Sequence, residues 1–267
     1  MSKPFISLTS DFGVQSQGVG NMHGVVLAIA PDANVIHLMH GLPEYDITAA
    51  ARTLETATYL PIGFHVCVCD PGVGSTRKAL IIKTYRGDCL IGPDNGVLIP
   101  ASRRLGGVER VHEIVNPHYM RQPVSPIFHG RDVFAPAAAH LAMGVSLDAF
   151  GPALDPLALV PSPYNDAEIK GDAIHCTIIQ INRFGSMHLN MVHEQWDALN
   201  LSGRTQLTLV SDRFAPIVLP TGRIFSDVPK GECVILKDDY GRVEVAKNMG
   251  SFVATYPFKI GEAIIIK

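Results

Sequence analysis

The sequence predicts an α/β domain with a mainly parallel sheet, followed by a smaller all-β domain of barrel or sandwich type. Three observations carry this. Apolar strand-like runs alternate with helical stretches through the first half of the chain. Residues 152–166 then carry Pro152, Pro156, Pro161 and Pro163. Beyond them, short β-type runs are split by Gly, Asp and Pro turns. The boundaries that follow are 1–155 for the α/β domain, 156–166 for a linker and 167–267 for the β domain.

The elements read in order as follows. Phe5 to Thr9 is a short strand. Val19 to Ala30 is helical and stops at Pro31, and Val35 to Met39 is a second strand. Asp46 caps a helix running through Ala49, Ala50, Leu54 and Ala57 to about Tyr59, with Pro61 just beyond. Phe64 to Cys69 is almost continuously apolar, as a strand covered on both faces should be. Strands separated by single helices imply parallel pairing through right-handed crossovers. Ala79–Thr84 and Cys89–Gly92 are short strands joined across Tyr85-Arg86-Gly87-Asp88, and Val111–Val115 is another. A marked helix follows, with Asp132 as N-cap, Pro136 in the first turn and Gly144 as the stop. The second domain reads as strands at Ala173–Ile181, Thr205–Val210, Cys233–Leu236, Val243–Ala246 and Ala263–Ile266.

Composition excludes several classes. The 267 residues carry 22 basic and 25 acidic side chains, a net charge of −3, with no basic stripe, so nucleic acid is not an expected partner. No apolar run reaches the roughly 18–20 residues that span a bilayer. Met1-Ser2-Lys3-Pro4 leads straight into the first strand without signal-peptide architecture, so a cytoplasmic location is expected. Five cysteines, an odd and irregularly spaced set, argue against a disulfide framework. Cys67 and Cys69 share one face of a strand and read as buried thiols rather than half of a zinc site.

Four segments can carry chemistry. Asp11 ends the first strand, where open α/β sheets bind ligands, and a carboxylate there suits a diol. Asp70-Pro71-Gly72-Val73-Gly74-Ser75-Thr76-Arg77 follows a buried strand. Its glycines allow a sharp turn, and its acid and arginine can pair; that pair reads equally well as structural or functional. Pro93-Asp94-Asn95-Gly96 is a tight turn whose Asn95 amide can meet a ligand. His129 stands just before the marked helix, beside Gly130, where an imidazole can be held in one tautomer and aimed into a cleft. A divalent-ion site built from Asp11, Asp70, Asp94, His129 and Asp132 is the alternative. Arg77 beside Asp70 weighs against it on charge.

Together, Thr9-Ser10-Asp11-Phe12-Gly13, Val68 to Ser75 with Arg77, Gly92-Pro93-Asp94-Asn95-Gly96, and Phe128 to Pro136 resemble the S-adenosyl-L-methionine hydroxide adenosyltransferases. These are hydrolytic relatives of the adenosyl fluorinase and chlorinase. The resemblance is dense over the first 150 residues and thinner afterwards. It implies an N-terminal α/β domain, a C-terminal β domain, and a homotrimer with the ligand at a subunit interface. It implies release of adenosine and L-methionine by attack of water or hydroxide at C5′, with no metal and no other cofactor. Asp70, Arg77 and His129 correspond to the water-handling set, and Asp11 to the carboxylate on the ribose diol. In that scheme Asp70 and His129 accept hydrogen bonds from the water, while Arg77 holds Asp70 or stabilises hydroxide character. Asn95, Asn182, Phe184, Ser186, Phe225, Asp239, Tyr240 and Met249 correspond to the substrate-binding positions, with Phe184 and Phe225 able to sandwich a base.

The halogenases replace that arginine and histidine and carry a long insertion; here Thr84 reaches Leu90 across a short turn, which favours water over halide. The sequence also departs from its relatives. An acid expected after Asp11 reads Ser16, an aspartate reads Asn182, and an Asn-Ser pair reads Asp238-Asp239. Asp239 can take over the ammonium, or the donor can carry a different tail. The alternatives are therefore a binder of an adenosine-type ligand or a hydrolase of another adenosyl compound.

Overall fold

The computed structural model describes residues 3–267; Met1 and Ser2, which open the N-terminal segment discussed above, lie outside them. The chain forms two compact units, the first ending at Pro163 and the second running from Tyr164 to Lys267.

In the first unit β1 (Phe5–Ser10), β2 (Asn34–Met39), β3 (Phe64–Val68), β4 (Ala79–Thr84), β5 (Cys89–Pro93) and β6 (Val108–Glu113) form one sheet, ordered β2-β1-β3-β5-β4-β6. β2, β1, β3 and β5 run parallel. β4 is antiparallel to both of its neighbours, β5 and β6. The sheet is therefore mixed, not mainly parallel throughout. The cause is local: the Tyr85–Asp88 turn between β4 and β5 is far too short for a parallel crossover, which takes a dozen or more residues.

Four helices cover this sheet: α1 (Gln17–Ile29), α2 (Ile47–Leu54), α3 (Ile99–Arg104) and α4 (Ala135–Ala142). The Ser16 hydroxyl caps α1 by accepting from Gly18 N at 3.2 Å, and Asp46 caps α2 by accepting from Ala49 N at 2.9 Å. Met22 and Val26 of α1 and Phe134 and Ala138 beside or on α4 pack against Ile6, Leu8, Val66 and Ile91. Burying side chains of this size contributes roughly 1.5–3 kcal/mol each, so this face anchors the strand ends that carry the polar residues.

Two expectations change here. The helix after His129 does not begin at Asp132: a π-turn over Gly130–Phe134 precedes α4. Asp132 lies inside that turn and its carboxylate accepts from Ser125 N at 2.9 Å instead of capping its own helix. Nor is the proline-rich segment a free linker along its whole length. Pro156–Ala158 forms a 3-10 turn, Val160 N donates to Asp94 at 2.9 Å, and Gly96 lies so close to Pro161 that a Cβ would come within 2.2 Å of its carbonyl oxygen.

The second unit is a nearly closed, barrel-like antiparallel sheet. Its strands are β7 (Glu168–Lys170), β8 (Ala173–Ile181), β9 (Met187–Val192), β10 (Gln206–Val210), β11 (Ile217–Pro220), β12 (Cys233–Lys237), β13 (Arg242–Lys247) and β14 (Ala263–Ile266). The order is β11-β10-β14-β8-β9-β13-β12, with β7 beside β8. A single bridge between Thr221 and Ile235 joins the two ends. Ile178, Leu189, Leu209, Val245 and Phe252 fill the interior.

Candidate active site

Two carboxylates meet at the carboxyl edge of the parallel strands. Ser10 of β1 lies opposite Val68 of β3, so Asp11, one residue on, and Asp70, two residues on, leave adjacent strands at the same end. Asp11, Phe12, Tyr45, Asp70, Phe128 and His129 line a cavity of about 330 Å³ there. Glu44 also lines it.

The loop after Asp70 folds back on itself. Gly74 has φ +76°, and a Cβ there would come within 2.4 Å of the Pro126 carbonyl oxygen, so only glycine lets this loop close onto the segment leading to His129. The closure brings the three expected residues together. Arg77 Nε donates to both Asp70 oxygens at 3.0 and 2.9 Å, and its Nη2 to Oδ2 at 2.5 Å. The same Nη2 lies 2.7 Å from His129 Nδ1. The Asp70 and Arg77 side chains are only 5% and 9% exposed, and the guanidinium lies 5.2 Å from the Phe134 ring centre. A rigid, desolvated fork of this kind fixes geometry far better than an exposed pair.

The contact at His129 settles its tautomer. Arginine has five donors and no acceptor, so Nδ1 accepts and the neutral ring keeps its proton on Nε2. Burial first, and the Arg77 charge second, lower the His129 pKa below the ordinary histidine value, which favours that neutral form. The free nitrogen of His129 is thus a donor. The expectation that it accepts from a bound water is corrected.

Asp11 Oδ2 accepts from Tyr45 N at 2.9 Å, and Tyr45 is held at φ 63°, a conformation rare for a non-glycine residue. Burial first, and the nearby Asp11 charge second, raise the pKa of both Cys67 and Cys69, so these are protonated thiols. Asn95 serves the backbone: its Nδ2 donates to Cys69 O at 2.8 Å and its Oδ1 accepts from Val97 N at 3.2 Å. Both ends of the amide are used, and the residue does not line the cavity. Ser16, in place of the expected acid, is the α1 cap.

The divalent-ion alternative is not assembled. Arg77 occupies the space between Asp70 and His129, Asp94 accepts from Val160 N, and Asp132 is turned to Arg131 and Ser125 N. Among the described residues no group of three or more His, Cys, Asp or Glu side chains is arranged to hold a metal.

The remaining sequence-predicted residues belong to the second unit. Asn182 shapes the β8–β9 turn, its Oδ1 accepting from Phe184 N at 3.0 Å and Ser186 N at 3.1 Å. Ser186 is buried, whereas Phe184 is exposed with Arg183 over its ring. Val253 N donates to Gly185 O at 3.2 Å, which brings this turn against the segment after the exposed Met249. On the β12–β13 turn it is Asp238, not singled out as a binding residue from sequence, that is buried, accepting from His188 Nδ1 at 2.9 Å. Asp239 and Tyr240 stand exposed beside it, and Phe225 opens an exposed 3-10 turn. Sequence reasoning also missed Glu44 and Tyr45; only the strand-end position of their segment, after β2, could have signalled them.

Comparison with known proteins gives a consistent picture. The model of the SAM hydroxide adenosyltransferase N-terminal domain matches residues 6–151, and that of the C-terminal domain matches 176–265. The chain is 39% identical over 250 residues to a Salinispora arenicola protein named (R)-S-adenosyl-L-methionine hydrolase, covering 93% of this chain and 92% of that one. It is 32% identical over 262 residues to a Thermus thermophilus protein of the same name, covering 91% of each. A Nocardia brasiliensis fluorinase is more distant, at 24% identity over 294 residues, covering 99% of this chain and 97% of that one. A crystal structure of an uncharacterised conserved Thermotoga maritima protein superposes with a TM-score of 0.89 at 28% identity, covering 98% and 99% of the two chains.

Proposed function

Because the chain belongs to the SAM hydroxide adenosyltransferase family, we propose that it hydrolyses S-adenosyl-L-methionine to adenosine and L-methionine, with Asp70, Arg77 and His129 handling the water. The observation that carries the assignment is the Asp70–Arg77–His129 chain of contacts, whose two ends, Asp70 and His129, line the strand-end cavity.

A sulfonium is already a good leaving group, so the rate is limited by the nucleophile. Water forms a bond to C5′ as the C5′–S bond breaks, and the bond pair neutralises the sulfur. One water proton becomes part of the new 5′-hydroxyl. The other passes to the Asp70 carboxylate and on to solvent. Asp70 accepts from the water, Arg77 holds Asp70 in place, and His129 Nε2–H donates to the oxygen as it approaches hydroxide character. Fixing that one molecule in line can supply on the order of 7–11 kcal/mol of the barrier through pre-paid entropy and avoided solvent reorganisation. The halide route of the fluorinases needs no such donor–acceptor pair around the nucleophile.

Asp11 takes the ribose diol in this reading, and Phe184, Phe225, Asp239, Tyr240 and Met249 meet the rest of the substrate. Asn182, Ser186 and Asn95 act by shaping the turns that present these groups. The chain works as a homotrimer with the site at the subunit interface. In support, large apolar residues crowd around the cavity and stay exposed, Ile127 at 78% and Tyr45 at 68%. A cytoplasmic location fits five cysteines that are all free thiols, and no helix among the described residues is long and apolar enough to cross a membrane.

The test is direct. Purified protein in the presence of a chelator should convert S-adenosyl-L-methionine to adenosine and methionine in equal amounts, and Asp70→Asn should lower kcat by at least about 100-fold. Absence of both products from a folded trimer, or turnover that needs an added divalent ion, rejects the assignment.

A further inference from the structure

Ser10, the last residue of β1, starts a line of side chains that leads away from the cavity. Its Oγ lies 2.7 Å from His40 Nδ1. His40 Nε2 lies 2.8 Å from His37 Nδ1, and His37 Nε2 lies 2.9 Å from His23 Nδ1 on α1. Ser10 and His40 are buried, while His37 is exposed on the edge strand β2. The proton positions follow from the partners of the Ser10 hydroxyl. Phe12 N donates to Ser10 Oγ at 3.4 Å, and among the described residues His40 Nδ1 is the one other partner of this buried hydroxyl, so the hydroxyl proton is paired only if it goes to Nδ1. A neutral His40 then carries its proton on Nε2 and donates to His37, and His37 likewise donates to His23. The reverse polarity would also make each link but would leave the Ser10 hydroxyl proton unpaired in a buried place.

This line grips the turn that carries Asp11. His40 holds the turn at both ends: its ring binds Ser10, and its carbonyl oxygen accepts from Gly13 N at 2.7 Å. Asp11 and Phe12, the two residues between those anchors, both line the cavity. A third hold comes from Tyr45 N on the Asp11 carboxylate, further along the segment that His40 begins. Without the His40 ring, Ser10 Oγ loses its acceptor in a buried place and the turn can rotate about its remaining contacts.

We propose that His40 is a positioning residue for ribose recognition: it sets the orientation of the Asp11 carboxylate toward the 2′,3′-diol, and His37 fixes the tautomer in which it does so. The inference rests on the reading of Asp11 as the diol carboxylate and adds to it a part of the molecule outside the cavity.

Calorimetry with adenosine and 2′-deoxyadenosine tests it without catalysis. Wild type should prefer adenosine by about tenfold or more, the value of a hydroxyl bonded to a charged acceptor. His40→Ala should bring that ratio toward one while the affinity for 2′-deoxyadenosine stays nearly unchanged. His40→Asn places an acceptor near the position of Nδ1 and should restore most of the preference; His40→Gln reaches the position of Nε2 and should not. Ser10→Ala should match His40→Ala, and combining the two should add nothing further. Should His40→Ala fail to fold, the asparagine and glutamine variants decide. An unchanged adenosine preference in His40→Ala, or equal loss in His40→Asn and His40→Gln, overturns the proposal. A retained adenosine preference in a wild type that does not hydrolyse S-adenosyl-L-methionine sinks the functional assignment instead.

Discussion

Arg77 donates to the Nδ1 of His129 at 2.7 Å, and that contact makes the imidazole a hydrogen-bond donor on its other side. Arg77 therefore does two things from one guanidinium: it steadies the group that accepts from water and orients the group that donates to it. Four outcomes follow for the enzyme.

Replacing His129 by alanine removes the donor to the forming hydroxide character. kcat should fall by about 10²–10³-fold, the usual cost of one such donor, with KM little changed. His129→Gln keeps an N–H near the place of Nε2 and should retain more activity than His129→Asn. Steady-state adenosine release checks this, and equal loss in the two variants would reject the donor role.

The pH profile has a defined sign. The active ring is neutral, and burial together with Arg77 lowers its pKa below the ordinary value of 6.5. Activity should be fully present at pH 7 and fall only as the solution drops through that lowered pKa, when Nδ1 gains a proton and faces Arg77 as a second donor. A kcat–pH profile in wild type and His129→Gln measures it. The acid limb attributable to residue 129 should vanish in the variant.

Arg77→Lys keeps the charge and loses the fork. An ammonium cannot bond both Asp70 oxygens and His129 in this plane, so both groups relax from position. A displacement of about 1 Å can cost 10²-fold, and kcat should fall on that order while the S-adenosyl-L-methionine KM changes less. A kcat within twofold of wild type would show that the fork is dispensable.

Gly74→Ala tests the loop. At φ +76°, with the Pro126 oxygen 2.4 Å from the place of a Cβ, the loop must open to admit a methyl group. Stability should drop by about 1 kcal/mol or more, and kcat should fall with it because the Asp70–Arg77 loop is moved off the His129 segment. Thermal melting and adenosine release, measured together, check both effects.

Much of this was legible along the chain. Asp70 and Arg77 share one short loop, so their pairing needed no tertiary information, and the alternation of apolar runs located β1, β3, α1 and the strands β8 and β14 within a residue or two. What was misread shares one cause. Asp132 looked like a cap because an aspartate just ahead of an apolar helical run is the usual signature of one, whereas here it lies inside a π-turn and its carboxylate accepts from Ser125 N of the preceding segment. Asn95 looked like a ligand because an amide in a turn has the same sequence signature whether it faces substrate or its own backbone.

The sequence by itself determined the two-part architecture, the strand-end placing of Asp11 and Asp70, and the local acid–arginine pair, because burial periodicity and turn chemistry act over a few neighbouring residues. Tertiary structure alone decided that β4 reverses the sheet, that His129 donates rather than accepts, and that His23, His37 and His40 line up behind Ser10. Those depend on which distant segments are pressed together. An imidazole takes its proton position from the partner that packing supplies, and no spacing along the chain records that partner.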